Sequence, residues 1–205
     1  KKILSKMRES GCHLLLYGIE TGSDKLLRLM GKPFNTKKAS EVLVNTHREG
    51  IATRICLMAG YPHETKEDVM KTINFIEKHK KEITVVNLSH FGLYHLIPMQ
   101  VNPETHGITN LKLIDEENLK YSFDEIGGLR WEEKKRQIEW SFKQIKKAIY
   151  CDIIRNSNLY SLPLAKILPF EIHYITERMA GMRNFSNILW NKMNYFCLPE
   201  AQSSN

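Results

Sequence analysis

The chain has 205 residues, of which 42% are hydrophobic and 26% are charged, and its formal net charge is +7. This length suffices for one domain with a sizeable core, and the composition is that of an ordinary globular protein. No apolar run approaches the roughly 20 residues that a bilayer span needs, which argues against a membrane protein. The positive charge is compatible with an anionic ligand or nucleic acid, but many solvated surfaces are equally basic.

The start of the chain and its cysteines bear on its origin. The sequence begins with Lys1 and shows no Met or signal peptide there, so we expect the natural N-terminus to lie upstream. Four cysteines, Cys12, Cys56, Cys151 and Cys197, are far apart, a spacing that fits neither a zinc site nor a disulfide framework. Buried, reduced thiols are therefore expected, as in a cytoplasmic protein.

The first half of the sequence alternates strand-like and helix-like segments. Residues 1–10 are predicted to end a helix that Gly11 terminates, and a largely apolar strand follows over 12–19. Ser23 is predicted to cap a short helix that runs to Met30.

Two further pairs of a helix followed by a strand are predicted next along the chain. Asn35 or Thr36 is expected to cap a helix that ends at Gly50. The next strand covers 51–59, and its exit loop leads to Thr65 and Asp68, which resemble a capping box with Asp in place of Glu. That helix is predicted to run to about residue 80, with a third strand over 83–89.

This order predicts right-handed βαβ units and a parallel sheet. Because a complete eight-fold barrel typically needs about 250 residues, the fold class we predict is α/β with a partial parallel (β/α) barrel over residues 1–100. An irregular connection is expected over 101–130, where turn signals occur without a repeat. A mainly helical extension over 131–198 follows, with a disordered tail over 199–205.

Two loops at predicted strand ends are the best candidates for a ligand site. Glu20 follows the first strand, where a carboxylate is well placed to accept hydrogen bonds from neighbouring hydroxyls, although it could equally face water in a plain turn. Thr21 and Ser23 then offer hydroxyls at a helix start. In the second loop, Gly60 allows close backbone approach, and Glu64 is read mainly as a structural acid.

These segments together resemble a known family. Gly-Ile-Glu-Thr-Gly-Ser-Asp over 18–24, Leu-Leu-Arg-Leu-Met-Gly-Lys over 26–32, Gly-Ile at 50–51 and Gly-Tyr-Pro-His-Glu-Thr over 60–65 occur in order. They resemble the second half of a radical S-adenosylmethionine (SAM) domain, in the subgroup that often carries a cobalamin-binding domain. Thr21 replaces a usual Ser and His63 a usual Gly, and the resemblance covers about residues 10–100.

The resemblance implies roles for particular residues. Glu20 would hold the SAM ribose hydroxyls, with help from Thr21 and Ser23. The strand that ends at Gly60 would lie beside the adenine. The residues implied as contacts there are Leu57, Met58 and Gly60, and Arg54 is a candidate for a carboxylate.

One departure from the family pattern concerns its iron–sulfur site. The family holds a [4Fe–4S] cluster with three cysteines spaced CxxxCxxC, and thiolates are the usual cluster ligands. No two cysteines of this chain lie within forty residues of each other, so no metal site is predicted in it. The cluster is expected only with a missing N-terminal half of the barrel, the implied partner of this chain, and cobalamin use is left open.

Three further side chains and one basic stretch are weaker candidates for function. His90, Tyr94 and His95 follow the third strand and are candidates for a substrate pocket, against an ordinary loop or core role. The segment 130–155 is rich in Lys and Arg with Trp among them, which fits either a nucleic-acid surface or, more simply, a solvated helix face.

Three functions follow from the sequence. The first is a fragment of a radical SAM enzyme, which the complete protein would use to cleave SAM reductively; alone, the chain is expected to be inactive. The second is a non-catalytic SAM-binding, nucleotide-binding or partner-binding module. The third is a basic RNA-binding protein centred on residues 130–155.

Overall fold

The computed structural model describes residues 2–149. The predictions that fall on residues 150–205, including most of the helical extension, the tail, Cys151 and Cys197, lie outside the described residues. The elements in chain order are α1 (Lys2–Glu9), β1 (Leu14–Glu20), α2 (Asp24–Leu29), α3 (Thr36–Arg48), β2 (Ala52–Ala59), α4 (Lys66–Lys78), β3 (Val85–His90), β4 (Leu93–Tyr94), α5 (Pro98–Val101), a 3-10 turn (Glu104–His106), β5 (Ile108–Asp115), β6 (Lys120–Glu125) and α6 (Trp131–Ile149).

The first three strands form a parallel sheet in the order β1-β2-β3, which confirms the predicted α/β class. Alternate residues of the central strand β2, among them Ile55, Leu57 and Ala59, are buried against α3, α4 and α6. Arg54 and Met58 alternate with them and face the opposite side of the sheet. One face is therefore a helix-covered core, and the other carries a mixture of polar and apolar side chains.

Local capping interactions set the helix boundaries largely as predicted. Asn35 is the N-cap of α3, and its side chain accepts a hydrogen bond from the backbone of Lys38. Thr65 and Asp68 form the predicted capping box of α4. Gly50 adopts a left-handed φ of 68° just after α3, a conformation that glycine allows without steric cost.

The region 101–130 was expected to be an irregular connection, and that expectation is wrong. Strands β4, β6 and β5 form an antiparallel sheet in that order, with β6 in the centre between β4 and β5. Their inner face carries Leu93, Ile108 and Phe123, which join Phe91 and Tyr61 in a second core cluster. The turn signals in this region belong to a three-stranded sheet whose alternation is broken by two register shifts.

Helix α6 confirms the helix predicted to begin at Trp131, over its described part. Ile138 and Ile145 of this helix are buried, and Ile145 belongs to the core cluster of the parallel sheet. The helix therefore packs against the same face of the sheet as α3 and α4. Lys134, by contrast, is fully buried, although the sequence placed it in a solvated basic stretch.

The cysteines and the hydropathy can be checked within the described part of the chain. Cys12 and Cys56 are free thiols, as expected, but both are partly exposed, so the expectation of full burial is wrong. No helix among residues 2–149 combines the length and the apolar character needed to cross a membrane.

A buried histidine gives the fold a pH-dependent contribution. His79 is 3% exposed, its Nε2 lies 2.7 Å from Ser40 Oγ, and its Nδ1 lies 3.5 Å from Glu82 Oε2. Burial lowers the pKa of His79, although the Glu82 carboxylate opposes that effect. As pH falls, the His79 side chain is therefore protonated in the unfolded chain before it is protonated in the folded one. The contribution of the neutral, buried His79 to the free energy of unfolding is fully present above about pH 6.5 and is lost as pH falls below that value.

We expect His79→Gln to flatten this dependence. In urea titrations from pH 5 to 7, the wild-type free energy of unfolding should fall more steeply with decreasing pH than that of the variant. His47→Gln, at an exposed position on α3, serves as the control and should retain the wild-type slope. Parallel slopes for wild type and His79→Gln would contradict the assignment.

Candidate functional site

Glu20 lies in a strained turn at the carboxyl end of β1. Its φ is 67°, and the N–H of Thr21 donates a 2.8 Å hydrogen bond to the carbonyl of Ile19 across it. A left-handed φ is uncommon outside glycine, and a three-residue turn of this hand is rare. Such backbone costs about 1–3 kcal/mol and is found mainly where a side chain must be aimed at a ligand.

The Glu20 carboxylate folds back over the neighbouring glycine. A Cβ atom on Gly18 would lie 2.8 Å from Glu20 Oε1, so only glycine leaves room for it. Lys32 Nζ donates to the same oxygen at 3.0 Å. No other hydrogen bond to this carboxylate forms within residues 2–149, which leaves Oε2 open to a ligand donor.

Lys32 is a site residue that the sequence reasoning missed. It follows α2 and lies twelve positions after Glu20, at the end of the motif that runs to Met30, Gly31 and Lys32. A signal was present, because that motif was already part of the family resemblance. The contact itself depends on how α2 folds back beside β1.

Thr21 and Ser23 face the protein interior and are both fully buried. Thr21 Oγ1 lies 3.0 Å from Thr72 Oγ1, and Ser23 Oγ donates to Asp68 Oδ1 at 2.6 Å. Both hydroxyls therefore tie the turn after β1 to α4. Their contact with a ligand stays a prediction, and the structure gives them a supporting role.

Asp68 joins the starts of α2 and α4. It closes the α4 capping box, and it also accepts from Ser23 and forms a 2.5 Å ion pair with Lys25. Burial alone would raise the pKa of Asp68, but the hydrogen bonds from Lys25, Ser23 and Thr65 outweigh it and hold the pKa below its usual range. The same Lys25 Nζ donates to the carbonyl of His63, so both strand-exit loops are held to one carboxylate.

The loop after β2 is rigid because several backbone groups have buried partners. Gly60 has a φ of 89°, and its N–H donates to Glu64 Oε2 at 2.9 Å. His63 has a φ of 61°, at the position where the resembling family has glycine; its N–H donates to Glu125 at 2.7 Å. The structural role predicted for Glu64 agrees with this geometry.

A buried lysine fastens this loop from α6. Lys134 Nζ donates to the carbonyl of Tyr61 at 2.8 Å and forms a 2.8 Å ion pair with Glu125. Burial lowers the pKa of Lys134, against the opposing effect of Glu125. Burial would raise the pKa of Glu125, but the ion pair with Lys134 outweighs burial and holds that pKa below its usual range. The pKa of Glu64 is raised, because the effect of burial there exceeds that of its hydrogen bonds and of Lys134.

The predicted contacts on β2 fall on both sides of the sheet. Leu57 is buried in the helix-covered core, while Met58 and Arg54 are half-buried on the opposite face. Gly60 lies beyond the strand end, where a Cβ atom would come within 2.3 Å of Ile138 Cγ1. The structure therefore places Gly60 and Glu20 at the same edge of the sheet, with Met58 and Arg54 further back along β2.

The three pocket candidates after β3 are not brought together. His90 stacks on Phe142 of α6 with ring centroids 3.8 Å apart, so it lies on the helix-covered side. Tyr94 and His95 are exposed next to the antiparallel sheet, where His95 stacks on Tyr121. A role of each residue in a substrate pocket stays a prediction. In this structure the three side chains do not line one common pocket.

The residues present do not fit an iron–sulfur cluster. Among residues 2–149, no group of three or more His, Cys, Asp or Glu side chains could hold a metal ion. Cys12 and Cys56 lie on different elements, before β1 and within β2. The described part of the chain thus contains a polar site at a strand end without a cluster-binding triad.

Comparison with known proteins gives a consistent assignment. Residues 1–76 match the family model of the radical SAM superfamily. The chain is 31% identical over 78 residues to an uncharacterized methyltransferase of Pyrococcus horikoshii, a stretch covering 38% of the chain and 17% of that protein. It is 34% identical over 64 residues, 30% of the chain and 15% of the relative, to a ribosomal protein uS12 methylthiotransferase of Pseudothermotoga lettingae.

A third relative, a tRNA-2-methylthio-N(6)-dimethylallyladenosine synthase of Clostridioides difficile, is 35% identical over 69 residues, 33% of the chain and 14% of that protein. The matches thus span less than a fifth of the length of these curated relatives. The family-model match over residues 1–76 includes the motifs that carry the resemblance, and it confirms the resemblance. Residues 1–76 of this chain are therefore similar to the radical SAM superfamily.

Proposed function

We propose that this chain supplies the ribose and adenine side of an S-adenosylmethionine site. The observation that carries the proposal is the Glu20 carboxylate, which a left-handed turn holds over Gly18 at the carboxyl end of a parallel strand. Ligands of parallel α/β proteins bind at this edge of the sheet. The open Glu20 Oε2 can accept a hydrogen bond from a ribose hydroxyl, as acids do in dinucleotide sites.

Neighbouring groups prepare Glu20 for this task. Lys32 pairs with Oε1, which fixes the orientation of the carboxylate and leaves the second oxygen for the ligand. Thr21 and Ser23 secure the turn to α4, and the buried hydrogen bond from the Gly60 N–H to Glu64 fixes the path of the neighbouring loop after β2. We propose that Arg54, on the face of β2 opposite α3 and α4, meets an anionic part of a substrate.

The wider setting we propose is half of a (β/α) barrel. Within the described residues, β1 and β3 are both edge strands, because each pairs only with β2. Leu16 is 58% exposed on the face without helices, where a closed barrel would cover it. A partner half-barrel pairing with the β1 edge would bury this face and remove an edge that favours aggregation.

The complete reaction would need groups from outside these 205 residues. S-adenosylmethionine beside a [4Fe–4S] cluster is the source of organic radicals in this superfamily, and we propose that the cluster ligands lie in another segment. Methyl or methylthio transfer is the reaction class suggested by the names of the relatives, and the use of cobalamin belongs to the same proposal. A cytoplasmic location is proposed from the free thiols.

The ribose contact is tested by ligand-detected NMR on the chain itself. We expect S-adenosylmethionine to bind weakly, and Glu20→Gln to weaken it roughly tenfold, because a hydrogen bond to a charged group contributes about 1.5–3 kcal/mol. Adenosine should show the same loss, whereas 2′,3′-dideoxyadenosine should bind wild type and variant alike. Glu104→Gln, at an exposed acid far along the chain, is the control and should bind as wild type does.

Equal affinity of Glu20→Gln and wild type for S-adenosylmethionine would refute the ribose role. A second candidate function is a non-catalytic nucleotide-binding module, which the absence of CxxxCxxC from the chain favours. The same titration distinguishes this module from a part of a larger S-adenosylmethionine site. Such a module would bind S-adenosylmethionine tightly on its own. An RNA-binding role of the segment 130–155 is weakened, because Lys134 is buried in an ion pair and offers no charge to a partner.

A further inference from the structure

A groove of about 670 Å³ lies between α3 and α4 on the outer, helical side of the sheet. Its walls carry four cations, Lys37 and Arg48 on α3 and Lys71 and Lys78 on α4. All four side chains are exposed. Gly22, in the loop that follows Glu20, also lines the groove, but the proposed S-adenosylmethionine site does not use the four cations.

The positive charge of this groove is not neutralised by the protein. None of the four cations forms an ion pair within residues 2–149. The only acid in the lining is Glu41, and Lys38 outside the groove pairs with it at 3.3 Å. Four cations against one acid leave a net positive charge on the two facing walls, and the resulting local field attracts an anionic partner.

The remaining lining indicates which polyanion fits. Polar side chains that can bind phosphate oxygens, such as Thr36, Asn45 and Asn74, line the groove between the cations. Of its apolar residues, Phe75 is buried and Val44 is half-buried, so the lining presents no exposed aromatic ring as an anchor for a protein partner. Phosphate contacts need only the groups that are present, and the lack of an exposed ring argues against base stacking.

We propose that the groove between α3 and α4 binds the phosphate backbone of a single-stranded nucleic acid without sequence preference. Residues of both α3 and α4 line the groove, so one extended strand lying along it can contact cations on both walls. Lys71 and Lys78 are seven residues apart on α4, which separates them by about 10 Å along the strand path. This activity is independent of the proposed cofactor site.

The proposal is tested by fluorescence anisotropy with a labelled oligouridine of about 15 nucleotides. We expect the logarithm of the association constant to fall with the logarithm of salt concentration at a slope of about −2.8 for four contacts. The double variant Lys71→Gln/Lys78→Gln should halve this slope and weaken binding at about 50 mM KCl roughly 60-fold. Circular dichroism checks that the exposed substitutions leave the fold intact.

The matched control is Lys135→Gln/Lys143→Gln, which removes the same charge from exposed positions on α6. It should retain the wild-type affinity and slope. Equal losses in the two double variants, or no binding by wild type, would overturn the proposal. Displacement of oligouridine by polyglutamate of equal charge at the same concentration would also overturn it, in favour of an acidic protein partner.

Discussion

Lys134→Met is expected to lower the free energy of unfolding by about 3–5 kcal/mol, because it leaves a buried carboxylate without its cation. Lys134 has no exposed surface, and its ammonium contacts the Tyr61 carbonyl, Gln137 and Glu125. Each of these acceptors would lose a donor that water cannot replace. Urea unfolding followed by tryptophan fluorescence measures the change.

Two companion variants separate the lost charge from lost packing. Lys135→Met changes the next, exposed residue of α6 and should alter stability by less than about 0.5 kcal/mol. Adding Glu125→Gln to Lys134→Met should restore at least about 1 kcal/mol, because the amide oxygen still accepts from His63 and the unpaired charge at position 125 is removed. A loss below about 1 kcal/mol for Lys134→Met would show that the pair contributes little.

Gly60→Ala is expected to cost about 3 kcal/mol, since two unfavourable effects coincide at this position. The left-handed φ of 89° disfavours any side chain by about 1–2 kcal/mol, and the added methyl would lie 2.3 Å from Ile138 Cγ1. Forcing a methyl into a packed core typically adds about 1–3 kcal/mol. The same unfolding titration measures the loss.

Gly11 provides a matched control for the backbone effect alone. Its φ of 93° is nearly that of Gly60, but a Cβ atom there would meet no heavy atom within 4 Å. Gly11→Ala should therefore cost only about 1–2 kcal/mol. If both alanine variants lost the same stability, the close packing of the β2 exit loop against α6 would not contribute.

The contribution of the buried Lys134 also explains how the exit loop of β2 is held. Its backbone groups at Tyr61 and His63 are bonded to α6 and β6, elements that follow about sixty to seventy residues later in the chain. The antiparallel sheet and α6 therefore act together as a support for the strand-end loops. A substitution that weakens this support should therefore destabilise the Gly60 loop more than the Glu20 turn, because the Glu20 turn is held by α2 and α4.

Helices, caps and the parallel sheet were predictable from the sequence because their signals are local. Asn35, Gly50 and the Thr65–Asp68 pair each act within four residues, and the strand and helix periodicities are read over single segments. Glu20 could be identified for the same reason, as an acid placed between a strand and a helix start. The resemblance of the surrounding motifs to the radical SAM family then suggested S-adenosylmethionine as the ligand of Glu20.

Tertiary structure alone decided which distant groups meet. The pairing of Lys32 with Glu20, the ion pair of Lys134 with Glu125 and the stacking of His90 on Phe142 join residues nine to fifty-two positions apart. A lysine in a basic stretch looks solvated in sequence, and its burial depends on whether the fold supplies a carboxylate beside it. The sequence by itself thus determined the elements and the acid at the strand end, whereas packing determined the charge environment, because electrostatic interactions depend on distance in space and on access of water.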